Sequence, residues 1–104
     1  AAVGNVNFTM PYKCTITHIV VTALEPTLND TYTATYKDNG GASMGSIDVP
    51  TSMAIGNKAT LASSGSPLSA NNAFNRDQNF LIEATKTTKS SGAYLHSIYA
   101  LKVT

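Results

Sequence analysis

Charge, sulfur and long apolar runs are all scarce in this chain. Charged residues fill 12% of its 104 positions, tryptophan is missing, and cysteine occurs once, as Cys14. A lone cysteine rules out an intrachain disulfide, and with it the small disulfide-stapled secreted class. It fits synthesis in a reducing host cytoplasm. No apolar stretch approaches the ~18 residues of a membrane-spanning helix, so no membrane partner is expected. The opening Ala-Ala-Val-Gly-Asn lacks the charged and apolar regions of a signal peptide. Seven basic residues, Lys13, Lys37, Lys58, Arg76, Lys86, Lys89 and Lys102, stand singly against six acids, for a net charge of +1. No stripe among them could follow a phosphate backbone, so no nucleic-acid partner is expected.

What takes the place of charge is Thr, Ser, Asn and Ala. Threonine-rich, weakly charged sequence favours strands over surface helices, and charge depletion also marks surfaces that neighbours cover. Apolar residues recur at period two, the signature of half-buried strands. Val6, Phe8 and Met10 alternate until Pro11. The stretch 14–24 places Cys14, Ile16, His18, Val20, Thr22 and Leu24 on one face, and Thr15, Thr17, Ile19, Val21 and Ala23 on the other; Glu25-Pro26 ends it. Thr31 to Lys37 alternates cleanly and runs into Asp38-Asn39-Gly40-Gly41, a turn signal because Asn and Gly tolerate positive φ. A shorter strand is expected over 46–49. Residues 51–62 suit either a helical turn or a short strand, and 63–75 read as loop. Strands over 79–85 and 93–103 follow, separated by a polar turn at 87–92. On the last, Leu95, Ser97, Tyr99, Leu101 and Val103 share one face, and Tyr94, His96, Ile98, Ala100 and Lys102 the other. The sum is an all-β chain: a single-domain antiparallel β-sandwich or jelly roll with long loops and little or no helix. It divides into an N-terminal arm over 1–7 and a sandwich over 8–104.

Catalytic signals are weak. Gly41-Ala42-Ser43-Met44-Gly45 matches Gly-x-Ser-x-Gly, but that motif needs a strand-to-helix turn in a large α/β sheet, and here it continues a glycine turn. Cys14, His18 and His96 could ligate a metal in principle. Cys14 and His18, however, lie roughly 13 Å apart along a strand at ~3.3 Å per residue, outside one coordination sphere. Cys14 reads as a core filler. The six acids are dispersed, with no pair spaced for acid–base work. The expectation is a protein that is not an enzyme and carries no metal or other cofactor. Tyrosines remain: Tyr32 and Tyr36 share a strand face that suits either the core or an interface.

The order of elements resembles the small jelly-roll-like decoration (cement) proteins of tailed-bacteriophage heads. The likeness rests on an opening strand ending in Phe8-Thr9-Met10-Pro11, a Thr/Ile/Val strand over Thr15 to Ala23, and an alternating strand entering an Asn-Gly turn over Thr31 to Gly41. A late Asn71-Asn72 loop then leads to the strand Asp77 to Glu83, and an alternating strand closes the chain. The departure is Arg76-Asp77, where similar proteins often have Gly-Asp. The resemblance implies a structural virion protein on the outer capsid surface that bridges major capsid (coat) protein subunits as a homotrimer. The candidate interface residues are Ala1, Ala2, Val3, Val6, Tyr12, Tyr32 and Tyr36. The second reading is a receptor- or glycan-binding β-sandwich domain of a phage fibre.

Overall fold

The structure, a computed structural model, describes residues 2–24, 32–49, 54–63, 65–86 and 94–103. Within them run eight strands: β1 (Ala2–Thr9), β2 (Cys14–Ala23), β3 (Tyr32–Lys37), β4 (Ser43–Val49), β5 (Lys58–Leu61), β6 (Ala73–Phe74), β7 (Asn79–Lys86) and β8 (Tyr94–Lys102). No helix occurs among the described residues. The strands form two antiparallel sheets packed as a β-sandwich. Sheet A has the order β1-β7-β3-β4. In sheet B, β8 follows one edge of β2 from Cys14 to Ala23, while β5 and β6 share the other edge end to end. Residues 25–31, 50–53 and 87–93, which include the expected stop at Glu25-Pro26 and the expected turn at 87–92, lie outside the described residues, as do Ala1, Ser64 and Thr104.

The core lies between the sheets. Its fully enclosed side chains include Tyr36, Phe74, Phe80, Ile16, Ile19 and Val21. These residues come from alternate positions, as a pleated strand requires. The alternation on β2 nevertheless breaks once. Cys14 and Ile16 point inward, and so do Ile19, Val21 and Ala23, because a β-bulge interrupts the pairing between Ile16 and His18. The extra residue shifts the parity by one. Each half of the sequence pattern therefore delivers its own apolar set to the core, and His18 is turned to the outer face.

The bulge falls where β2 lacks a strand on that edge, between β5 and β6. The loop 66–72 fills the gap. Leu68 N–H donates to Thr17 O at 2.9 Å and Ile16 N–H donates to Asn72 O at 2.8 Å. The Asn72 amide, 7% exposed, donates from Nδ2 to Ile16 O at 2.7 Å and to Leu68 O at 3.0 Å. One buried side chain thus replaces several rungs of ladder. Asn72→Ala is expected to lower stability by about 1–3 kcal/mol, because the buried carbonyls lose their donor. Asn72→Asp should do no better, since an ionised carboxylate has no proton to give. Urea midpoints at unchanged m-value test both.

The expected turn at 38–41 joins β3 to β4. Asp38 Oδ1 accepts from Gly40 N–H and Ala42 N–H at 3.0 and 2.8 Å, and Gly41 has φ +88°. Strand β4 begins at Ser43, three residues earlier than the apolar pattern suggests, and includes Gly45 at φ +146°. A Cβ there would sit 2.9 Å from Leu61 Cδ1 and Cδ2, so a glycine is what lets β4 approach β5. The Arg76-Asp77 turn forms with Asp77 in the left-handed region at φ 71°, its N–H donating to Met10 O. An aspartate tolerates that conformation better than most residues.

Candidate functional site

The two outer faces of the sandwich differ in chemistry. On sheet A, cross-strand partners are polar and satisfied: Thr33 Oγ1 donates to Asp48 Oδ1 at 2.9 Å, Thr35 and Ser46 hydroxyls meet at 2.8 Å, and Lys37 Nζ lies 3.0 Å from Glu83 Oε2. Pairs of this kind dress a solvated surface and add little stability. On sheet B, β8 turns its greasier side outward. Leu95, Tyr99, Leu101 and Val103 are exposed, Leu101 to 65%, while Tyr94 and Ile98 pack against the core. An apolar stripe on an edge strand with no proline and one lysine lacks the usual protection against pairing with other chains.

Part of that stripe lines a pocket of about 380 Å³, formed by Thr17, His18, Pro67, Tyr99, Ala100 and Leu101. The β2 bulge builds it. His18 and Tyr99 are register partners across β2 and β8, and their rings stack with centroids 4.2 Å apart and planes within 4°. Thr17 Oγ1 donates its single proton to Tyr99 O at 3.1 Å and also meets His18 Nδ1 at 3.0 Å. With that proton on the carbonyl, Nδ1–H donates to the hydroxyl oxygen; with it on Nδ1, the ring hydrogen sits on Nε2. In the first arrangement the neutral ring presents a bare lone pair at Nε2.

His96 sits on the opposite face, half-buried between the sheets. Tyr32 Oη is 2.9 Å from His96 Nε2 and Tyr36 Oη is 2.7 Å from His96 Nδ1. Both ring nitrogens are therefore used, one donating and one accepting in the neutral imidazole. Burial holds the His96 pKa below its ordinary value. Burial, with the neighbouring Tyr94 phenol adding to it, pushes Tyr32 up to about 12. Burial likewise raises Tyr36, with Tyr32 contributing. Tyr32 also stacks on Tyr94 at 3.9 Å. The cluster is an inter-sheet tie made of neutral groups.

Strand β1 is anchored by its pairing with β7 over 2–9, so the segment expected to act as an arm, 1–7, contributes residues 2–7 to an edge strand. Val6 and Phe8 are paired with Ile82 and Phe80, so all four lie on the inner side of sheet A. Ile82 and Phe80 are 5% and 0% exposed, yet Val6 is 56% and Phe8 37% exposed. Sheet A is one strand wider than sheet B covers. Phe8 stacks on Phe80 with centroids 4.9 Å apart, and every described side chain from Asn5 to Thr9 is open.

Among the expected interface residues, Val6 and Tyr12 are exposed, with Lys102 Nζ 5.5 Å over the Tyr12 ring. Ala2 and Val3 belong to β1, and Ala1 lies outside the described residues. Tyr32 and Tyr36 are buried, at 6% and 0%, which corrects their placement on a surface: their hydroxyls reach His96 instead of solvent. Cys14 and His18, expected on one face, are on opposite sides of sheet B because of the bulge. Burial raises the Cys14 thiol pKa, and among the described residues no three His, Cys, Asp or Glu side chains converge. Ser43 starts β4, its Oγ accepting from Gly45 N–H at 3.1 Å; both histidines are in the other sheet. Tyr99 carries no local signal, and His96, a metal-ligand candidate by sequence alone, takes its role from tyrosines of the other sheet. Comparison of the chain with protein-family models, with curated proteins and with solved structures finds no match.

Proposed function

We propose that this protein is a non-catalytic adhesive subunit that decorates the outside of a bacteriophage capsid and bridges coat subunits. The observation that supports this best is the uncovered strip of inner sheet A at Val6 and Phe8. It is core surface in every respect except that its own second layer stops short of it. A neighbouring subunit laid against β1 would complete the sandwich, adding burial at about 25 cal/mol per Å² of apolar surface and pairing the open edge. The shell as the partner comes from the resemblance in element order, and so does the homotrimer. A ring of three uses one head-to-tail contact repeated to closure, and many weak copies on a lattice add through multivalency.

Labelling intact virions with an antibody to the protein tests the location: label spread over the head is expected, and label confined to the tail sinks the reading. Val6→Asp tests the contact. This half-exposed strand substitution should lower folding stability by only about 1 kcal/mol, while occupancy on heads should fall tenfold or more. Undiminished occupancy would remove β1 from the interface.

A further inference from the structure

We infer that the pocket on the outer face of sheet B is a binding site for an uncharged saccharide ring, seated against the His18–Tyr99 stack with His18 Nε2 accepting one of its hydroxyls. Three properties of the pocket select this ligand class. Its lining carries no Lys, Arg, Asp or Glu, so phosphates, carboxylates and amines find no counter-charge. Its volume of about 380 Å³ falls at the small end of the ~300–1,000 Å³ usual for small-molecule sites. It also combines apolar surface from Tyr99, Leu101 and Pro67 with polar atoms at the rim. A pyranose offers the matching pattern, one C–H face and a girdle of hydroxyls.

The polar atoms are directed, not incidental. The Thr17 bridge to Tyr99 O and His18 Nδ1 holds the orientation of the imidazole, and the tautomer with its hydrogen on Nδ1 leaves Nε2 bare. The stack holds the ring flat against Tyr99. The floor is stiffened by the bulge, which buried Asn72 ties to the loop carrying Pro67 and Leu68. Bulges commonly re-aim a side chain in this manner. The site does not depend on capsid decoration, because its residues are on sheet B and the loop 66–72, and the contact proposed above is on β1.

The test is a nuclear magnetic resonance titration of the whole chain with methyl glycosides of the common hexoses and N-acetylhexosamines, following the His18 and Tyr99 ring signals. p-Cresol serves as a probe for a protein side chain. Saturable shifts at both rings with at least one glycoside, in the millimolar range, are expected. They should weaken tenfold or more in Tyr99→Ser, which removes the stack, and in His18→Phe, which keeps a ring but not the acceptor. Val6→Asp should bind as the parent does, which separates this result from head binding. Failure of every glycoside to saturate overturns the inference. So does binding that survives both variants, and so does saturation by p-cresol alone, which would make the pocket a seat for a partner's side chain.

Discussion

His96→Ala is expected to lower folding stability by about 2–4 kcal/mol, the sum of two buried phenols left unpaired and the void of the missing ring. That is a large part of the ~5–15 kcal/mol typical of a domain. Tyr32 and Tyr36 hydroxyls cross from sheet A to meet this one imidazole, so its removal strands both at once. The cost should be mostly recoverable by taking the polarity out altogether. A triple variant, His96→Leu with Tyr32→Phe and Tyr36→Phe, replaces the network with apolar groups of similar shape, and such exchanges are often close to neutral. Urea unfolding of parent, single and triple variants decides it. If the triple variant is no better than His96→Ala, packing of the imidazole outweighs its hydrogen bonds.

The same cluster sets a pH response. The folded-state pKa of His96 is depressed by burial, so in the window below ~6.5 the unfolded chain binds the extra proton first. Stability should therefore be full above that value and decline as pH falls through the folded pKa. The slope for one proton can be no steeper than about 1.4 kcal/mol per pH unit. Among the described residues, no acid or base other than the phenols Tyr32 and Tyr36 bonds the ring, and an imidazolium would have to donate to both while buried. The triple variant should lose this decline between pH 7 and 5, and one that keeps it would place the titrating group elsewhere.

Phe80→Ala is the other large effect, at about 3–5 kcal/mol. Phe80 is fully buried and lies within 6.0 Å, centroid to centroid, of Phe8, Tyr36 and Phe74. Those rings come from β1, β3 and β6, so one side chain from β7 joins both sheets and the overhanging edge strand. The cavity left by its truncation has rigid strand walls that cannot collapse far. The matching control is Phe8→Ala, which removes a ring 37% exposed and should cost clearly less. Equal losses would mean that β1, rather than the inter-sheet contact, depends on Phe80.

How far the fold can be read before it is seen varies from one segment to the next. The ten residues of β2, the turn that Asp38 caps, and the strands at 32–37 and 79–86 are legible because each rests on local chemistry: β-branched content, period-two alternation, and residues that accept positive φ. Residues 51–62 were open between helix and strand, and Lys58–Leu61 took a strand because β2 offers an edge at Ile19 to Thr22. The start of β4 at Ser43 is not legible for the same reason, since pairing with Lys37 rather than apolar pattern extends it.

Alternation along the chain was enough to establish extended segments in two layers and a weakly charged exterior. It could not say which of two faces would be covered. Leu95, Tyr99 and Leu101 look more like core than His96 does, yet they are outside. Two tyrosines from the other sheet make the His96 side the better one to bury, and a bulge at Thr17 turns His18 out beside Tyr99. Strand periodicity is a property of neighbours in sequence, whereas cover, register and hydrogen-bond partners are supplied by residues far along the chain, 82 positions in the case of Thr17 and Tyr99, and those only the packed sheets bring together.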